Sequence, residues 1–147
     1  MTDNYRPVSN AFIVDENLEL KDAGLVASDG ASSVDGAAKE LTLGTGRVEG
    51  DVIIDVTAVE IASNDEVYKV VSQFSNDDFT TIVNGSIFEF AATEVAAGGG
   101  EDAAIGRYKL PVTNVINDVH YSKMRLFNDV AGTITTGINY SAHLAIR

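Results

Sequence analysis

The stretch Thr133–Arg147, TITTGINYSAHLAIR, decides the fold, because its apolar and polar side chains alternate with a period of two. One parity holds the mainly apolar set Ile134, Ile138, Tyr140, Ala142, Leu144 and Ile146. The other parity holds the mainly polar set Thr133, Thr135, Asn139, Ser141, His143 and Arg147, and only Thr136 breaks the pattern. Successive side chains of a β-strand point to opposite faces of the sheet. The pattern therefore predicts a C-terminal strand with one buried face and one wet face.

The same alternation recurs upstream, between clusters of the turn residues Gly, Asn and Asp. Asp51–Ile61 predicts a strand buried on both faces, and Val67–Phe74 predicts a second strand. Thr80–Phe90 predicts two short strands around Asn84-Gly85, a dipeptide that favours hairpin turns. Further strands are predicted at Ala11–Val14, Leu18–Leu20, Gly24–Ala27, Leu41–Leu43, Arg107–Val112 and Val119–Phe127.

Helix signals are scarce in this chain. The best candidate is a short turn around Ser33–Leu41, which Gly36 weakens. The alternating segments above are candidates, of which we count eight or nine as strands, and with almost no helix they predict an all-β fold, an antiparallel β-sandwich of the jelly-roll type. We expect one such domain over residues 19–147, preceded by an extended N-terminal arm over residues 1–18 that lacks a core of its own.

Composition excludes several classes of function. The formal net charge is −12, and nucleic-acid binding depends on Lys and Arg displacing counterions from phosphates, so we expect no nucleic-acid partner. Residues 1–10 lack the apolar segment of a secretory signal, and no apolar run approaches the roughly 20 residues that cross a bilayer, so we expect no membrane partner. The chain has no cysteine, which excludes disulfides and thiolate metal sites.

The two histidines, His120 and His143, are the remaining candidates for metal binding or catalysis. A zinc site would need both of them and a carboxylate, and their spacing is not that of metal ligands. Ser141 lies near His143, but no GxSxG context surrounds it. The glycine-rich stretch Gly44–Gly50 lacks the GK[ST] ending of a phosphate loop. We therefore expect a protein that is not an enzyme, with no catalytic residue, no metal and no cofactor.

A basic surface is the candidate interface. Residues 1–66 carry 14 acidic and 4 basic side chains, whereas residues 107–147 carry five basic and two acidic ones. In Val119–Phe127, Met124 and Leu126 share one parity, and the opposite parity is polar or aromatic. An ordinary solvated surface is the alternative to an interface here. The predicted contact residues on this basic, partly aromatic face are Tyr121, Lys123, Arg125, Arg107 and Lys109.

Three segments together resemble a known family: SQFSNDDFTTIV (Ser72–Val83), GRYKLPV (Gly106–Val112) and YSKMRLFNDVAGTITTGINYSAHL (Tyr121–Leu144). In this order they are similar to the jelly-roll cement, or decoration, proteins of tailed bacteriophage capsids. The resemblance covers residues 11–147 and has most of its weight on 68–144. The family has no catalytic residues that could be assigned to positions of this sequence.

The resemblance implies a virion protein made in the host cytoplasm. Such a protein is a homo-oligomer, a dimer or a trimer, on the outer surface of an icosahedral head, where it bridges neighbouring subunits of the major capsid protein and stabilises the shell. The N-terminal arm, residues 1–18, departs from the pattern of the family, and we interpret it as a strap that reaches over a neighbouring or capsid subunit.

Two other functions remain open. A carbohydrate-binding jelly-roll module usually stacks sugars on exposed aromatic rings, and this chain has no Trp. A minor virion component, in head completion or in the tail, would share most of the features above. The number of copies per particle distinguishes a cement protein from a minor virion component, because cement proteins are present in hundreds of copies and completion proteins in a few.

Overall fold

Two antiparallel sheets carry the long strands of residues 18–147, the part of the chain that the computed structural model describes. The predicted strand Ala11–Val14 and nearly all of the predicted arm lie outside these residues. The strands are β1 (Glu19–Lys21), β2 (Leu25–Val26), β3 (Gly30–Ala31), β4 (Ser33–Val34), β5 (Ala37–Ala38), β6 (Leu41–Thr42), β7 (Glu49–Val59), β8 (Val67–Ser75), β9 (Val83–Ala91), β10 (Gly106–Thr113), β11 (Val115–Ile116), β12 (Val119–His120), β13 (Lys123–Ala131) and β14 (Ile138–Ile146).

Sheet I has the order β1-β14-β7-β10, and β2 also pairs with β14. Sheet II has the order β3-β13-β8-β9, and β6 also pairs with β13. Along these strands the chain crosses from one sheet to the other between β2 and β3, β6 and β7, β7 and β8, β9 and β10, β10 and β13, and β13 and β14. The predicted all-β antiparallel sandwich is therefore confirmed.

The core lies between the two sheets and is built by the alternation seen in the sequence. In the long strands most side chains of the inward parity are apolar, and Ser72 on β8 and Asn128 on β13 are polar exceptions. Burying an apolar side chain stabilises the fold by about 1.5–3 kcal/mol before conformational entropy is counted. The buried cluster includes Val52, Ile54, Val56, Tyr68, Val70, Phe74, Leu110, Met124, Leu126, Tyr140, Ala142 and Leu144.

The C-terminal strand is shorter than its alternation predicts. Strand β14 begins at Ile138, and residues 133–137 form a turn. Gly137 has φ = +94°, and a Cβ at this position would overlap the carbonyl oxygen of Val26. The backbone N–H groups of residues 135–137 donate to the carboxylate of Glu60 at 2.7–3.2 Å. These hydrogen bonds to Glu60 take the place of strand pairing at residues 135–137. The alternating pattern of the sequence therefore begins at Thr133, before the strand itself begins at Ile138.

The predicted hairpin turn at Asn84-Gly85 is wrong. Both residues lie inside β9, and the turn after β8 spans residues 76–82. A Cβ on Gly85 would lie 2.7 Å from the ring of Phe74 and 2.7 Å from Ser72 Oγ. Glycine is required here by close packing against β8, where the pairing also shifts register between Val71 and Gln73.

The short helical turn predicted at Ser33–Leu41 is also wrong. Strands β4 and β5 form a hairpin there, closed by Asp35 at φ = +53° and Gly36 at φ = +80°. Two consecutive residues with positive φ are characteristic of the type I′ turn that fits the twist of a hairpin. The predicted strand Val119–Phe127 is likewise divided, because β12 ends at His120 and β13 begins at Lys123.

A buried polar network links the two sheets. Tyr140, which has no exposed surface, donates its hydroxyl to Asn128 Oδ1 and lies 3.3 Å from Ser32 Oγ. The amide nitrogen of Asn128 donates to Ser32 Oγ at 3.2 Å. Burial raises the pKa of Tyr140 well above its usual range. The network satisfies polar groups that would otherwise be costly inside the sandwich.

Lys21 lies beside this network and binds backbone carbonyls. Its Nζ donates to the carbonyl oxygens of Asp22, Gly24 and Tyr140 at 2.7–2.9 Å, and it lies 4.4 Å from the centre of the Tyr140 ring. Burial lowers the pKa of Lys21, and the neighbouring Asp22 carboxylate partly opposes this shift. The lysine therefore fixes the start of sheet I to the middle of β14.

Candidate functional site

The predicted basic face is divided between the two sheets. Lys123 and Arg125 lie on β13 and point to the outer face of sheet II. Arg107 and Lys109 lie on β10 and point to the outer face of sheet I. The single basic face predicted from the sequence is therefore wrong, because the chain changes sheets between β10 and β13 and a shared parity does not place side chains on one surface.

Tyr121 belongs to the core rather than to the outer face. Its ring centre lies 6.4 Å from that of Phe74, an inward-facing residue of β8. Tyr121 precedes β13, and its backbone N–H donates to the carbonyl of Asn114 at 2.8 Å. The break in the strand at residues 121–122 thus changes the direction of this side chain relative to Lys123.

An apolar row crosses the outer face of sheet II. The residues Phe127, Val71 and Ile87 stand opposite one another on β13, β8 and β9. None of them belongs to the core cluster, in contrast to Leu126 and Val70, their neighbours of opposite parity. Ile87 is 52% exposed, whereas Val71 is 6% exposed because it is enclosed by the other two. We call these three residues the apolar row.

Arg125 borders the apolar row and is held in place. Its guanidinium carbon lies 4.4 Å from the centre of the Phe79 ring, and its Nε donates to Gln73 Oε1 at 2.9 Å. Phe79 folds back onto the sheet with φ = +63°, and its N–H donates to Ser75 Oγ at 2.9 Å. A guanidinium stacked on an aromatic ring and fixed by a hydrogen bond loses little freedom on binding, which is typical of residues that dominate interfaces.

Charges on the outer face of sheet II nearly cancel. Lys69 stands between Asp129 and Glu89 in the pairing of β13, β8 and β9. Lys123 Nζ lies 2.5 Å from Asp78 Oδ1, and this bond raises the pKa of the lysine. The strands of sheet II thus present a face without strong negative charge, although the whole chain carries −12.

The outer face of sheet I carries the other two predicted cations. Arg107 forms two hydrogen bonds to the carboxylate of Asp55 on β7, at 2.7 and 3.2 Å, and this contact raises the pKa of the arginine. Lys109 stands opposite Ile53, which stands opposite His143. Burial lowers the pKa of His143 below its usual range. Arg107 and Lys109 thus border a buried centre of the sheet rather than an open basic surface.

The two histidines lie on different parts of the fold. His120 Nε2 donates to the carbonyl of Gly46 at 2.6 Å, which ties β12 to the turn before β7. His143 lies in the middle of sheet I. Among residues 18–147 no group of three or more His, Asp or Glu side chains is arranged to hold a metal ion. Over the same range, no helix has the length and apolar character needed to span a membrane.

An open groove of about 530 Å³ lies where β9 and β10 meet at one side of the sandwich. Its floor is fixed by Ser86 Oγ, which donates to the carbonyl of Pro111 at 2.5 Å. The lining is mainly apolar and contains no aromatic ring, so it offers no stacking surface of the kind that sugar-binding sites use. The lining residues are Glu49, Asn84, Gly85, Ser86, Pro111, Val112, Thr113, Val115, Ile116 and Arg147.

Sequence reasoning missed the apolar row and Phe79. Val71 and Phe127 share the outward parity of their strands with charged residues, so each is an isolated apolar side chain in the sequence. Only the register of β13, β8 and β9 brings the three residues together.

No protein-family model matches the sequence, and no curated protein is significantly similar to it.

Proposed function

We propose that this protein is a structural virion protein that decorates the outer surface of an icosahedral head and bridges neighbouring subunits of the major capsid protein. The observation that carries the proposal is the apolar row on sheet II, bordered by Arg125 stacked on Phe79. The apolar row beside a fixed arginine suits a protein partner, because buried apolar, aromatic and arginine side chains supply most of the binding energy of protein interfaces.

The charge distribution supports a protein partner rather than a nucleic acid. A chain with a net charge of −12 is repelled by packaged DNA and remains outside the shell. Two copies of such a chain also repel each other, except where their faces are nearly neutral, as on the strands of sheet II. This favours sheet II as the surface that meets the capsid or a second copy in a dimer or trimer.

The strand order supports a jelly roll as the finer description of the sandwich. Taken in chain order, the eight principal strands are β1, β3, β7, β8, β9, β10, β13 and β14. The first pairs with the eighth, the second with the seventh, the third with the sixth and the fourth with the fifth. This nested pairing arises when one long antiparallel ribbon wraps around a core, which is how a jelly roll is built.

Stabilisation of the shell follows from mass action. A protein that binds assembled capsid subunits but not separated ones shifts the equilibrium towards the assembled shell. We therefore expect the protein at a fixed high copy number in purified particles, measured by quantitative electrophoresis. Particles that lack it should rupture at a lower temperature, and absence of the protein from particles would refute the proposal. A copy number of only a few per particle would instead support a head-completion or tail component.

A matched pair of variants tests the binding surface. Ile87 on sheet II and Ile146 on sheet I are each 52% exposed, so serine substitutions remove similar apolar surface from opposite sheets. We expect Ile87→Ser to weaken binding to isolated heads about tenfold, as for a central interface residue. Ile146→Ser should bind like the unaltered protein. Equal affinity of both variants would contradict the role of the apolar row, and glycan binding in an array would support the carbohydrate-binding alternative.

A further inference from the structure

The outer face of sheet II is positive on one side of the apolar row and negative on the other. Strand register places the neighbouring outward side chains in two further rows across β13, β8 and β9. The positive row has a net charge of +1 and consists of Arg125, Gln73 and Asn84. The negative row has a net charge of −1 and consists of Asp129, Lys69 and Glu89. The apolar row lies between them.

We propose that this face packs against the same face of a second copy, across a two-fold axis that runs along the apolar row. Rotation about such an axis places each strand over the same strand of the second copy, in the reverse direction. The positive row of one copy then lies over the negative row of the other, and the apolar row meets its own copy on the axis. Two-fold dimers in which one patch meets itself are the commonest homo-oligomers.

The closest match in this arrangement is an ion pair on β13. Arg125 precedes Phe127 by two residues and Asp129 follows it by two, so each lies about 7 Å from the axis on opposite sides. The axis therefore places Arg125 of each copy over Asp129 of the other. Asp129 is exposed, and Arg125 is already oriented by the ring of Phe79. An ion pair between groups that are fixed beforehand loses little freedom when it forms.

The other positions of the two rows also pair a donor with an acceptor. On β8, Lys69 lies over Gln73 of the second copy, whose Oε1 accepts one bond from Arg125 and has a second lone pair. On β9, Glu89 lies over Asn84 of the second copy. Asn84 uses its Oδ1 to accept a bond from Gln73, so its Nδ2 faces away from that contact and can donate to the carboxylate.

The charges also select the direction of the axis. An axis along the strands is the other way to pack this face on itself, and it would exchange β13 with β9. Asp129 would then lie over Glu89 of the second copy, and Lys69 over Lys69. Like charges that face each other across an interface weaken binding. The axis along the apolar row avoids both of these contacts.

The inference rests on the proposed function in taking the apolar row as the binding surface, and it names a second copy as the partner of that row. A dimer presents every other surface of the chain twice, which suits a protein that bridges neighbouring capsid subunits. Ile87→Ser then weakens binding to heads because a monomer binds through one copy and a dimer through two.

The first test measures the mass of the unaltered full-length protein in solution, without heads. Sedimentation equilibrium should give twice the 15.6 kDa of one chain. Ile87→Ser should dissociate at a higher concentration than the unaltered protein, and Ile146→Ser should not. A protein that stays monomeric or forms a trimer would overturn the inference. A monomer that still binds heads would leave the proposed function standing, whereas a dimer that does not bind heads would do the reverse.

The second test reverses the charges of the ion pair. Arg125→Glu and Asp129→Arg each place like charges opposite each other twice in a homodimer, so each should weaken dimerisation about tenfold or more. An equimolar mixture of the two variants should form heterodimers, because both pairs then join opposite charges. Arg147→Glu changes the net charge by the same amount as Arg125→Glu, beside β14 in sheet I, and should dimerise like the unaltered protein.

Circular dichroism of each single variant shows whether the sandwich is retained. The heterodimer should be about tenfold tighter or more than either variant homodimer. Two folded variants that form no heterodimer would overturn the two-fold arrangement along the apolar row. Homodimers of both variants as tight as that of the unaltered protein would overturn it as well.

Discussion

Removal of the Tyr140 hydroxyl tests whether the buried polar network stabilises the sandwich. In Tyr140→Phe the ring still fills its place in the core, but Asn128 Oδ1 loses the donor that the hydroxyl provides. A buried acceptor left without a partner costs about 1–3 kcal/mol in the free energy of unfolding. For a chain of this size that corresponds to a fall in Tm of about 3–9 °C. Urea and thermal unfolding measure the two quantities.

A double-mutant cycle tests whether the loss of stability comes from the hydrogen bond between Tyr140 and Asn128. Asn128→Leu also removes the bonds from Asn128 Nδ2 to Gly30 O and Ser32 Oγ, so it should cost more than Tyr140→Phe alone. The double variant should be more stable than the sum of the single changes predicts, by about 1 kcal/mol, because both partners of one bond are gone. Tyr108→Phe, whose hydroxyl bonds an exposed loop carbonyl, is the control and should have almost no effect. Strict additivity, or a Tyr140→Phe protein as stable as the original, would refute this reasoning.

Three further changes test individual contacts. Gly137→Ala should lower the free energy of unfolding, measured in urea, by about 2 kcal/mol or more. The new Cβ would overlap the carbonyl of Val26, and a side chain is strained at the φ of +94° that this residue adopts. A variant as stable as the original would show that the turn can move. The N–H groups of residues 135–137 hold the pKa of Glu60 below its ordinary value of 4.5, so its contribution to stability is present above that pH and is lost as the pH falls below it. Stability measured from pH 6 to pH 3 should fall less steeply in Glu60→Gln, and an unchanged slope would argue against this carboxylate. Lys21→Met leaves three carbonyl oxygens without their donor and should lower the free energy of unfolding by about 2 kcal/mol in the same urea assay. A neutral or stabilising effect would show that the cost of burying the ammonium group exceeds the gain from its hydrogen bonds.

The alternation of side chains was sufficient to predict the fold class. It identified the inward residues of the long strands, since burial against a core selects apolar side chains at every second position. It could not show where a strand begins, as at Ile138, because the turn before it is held by Glu60, a residue 78 positions earlier in the chain. At Gly85 a local turn signal was overridden by packing against Phe74, which is a tertiary contact.

The candidate site was less predictable for the same reason. Parity tells which side chains of one strand share a face, but it does not tell which sheet the strand joins. Parity in the sequence therefore predicts one shared surface for Arg107 and Arg125, although the two residues lie on different sheets. The apolar row depends on the pairing of three strands, and Phe79 reaches it through a turn with positive φ. Neither relation leaves a local signal in the sequence.

The position of β14 between β1 and β7 has a consequence for synthesis. Ribosomes make β1 about 120 residues before β14, so sheet I has a gap at its centre until the later strand emerges. Sheet II can pair β8 with β9 much earlier, as a hairpin of neighbouring strands. We therefore expect nascent chains that stop before Ile138 to keep the inner faces of β1 and β7 exposed to chaperones and proteases. Completion of the last strand then acts as the step that commits the whole sandwich to its folded form.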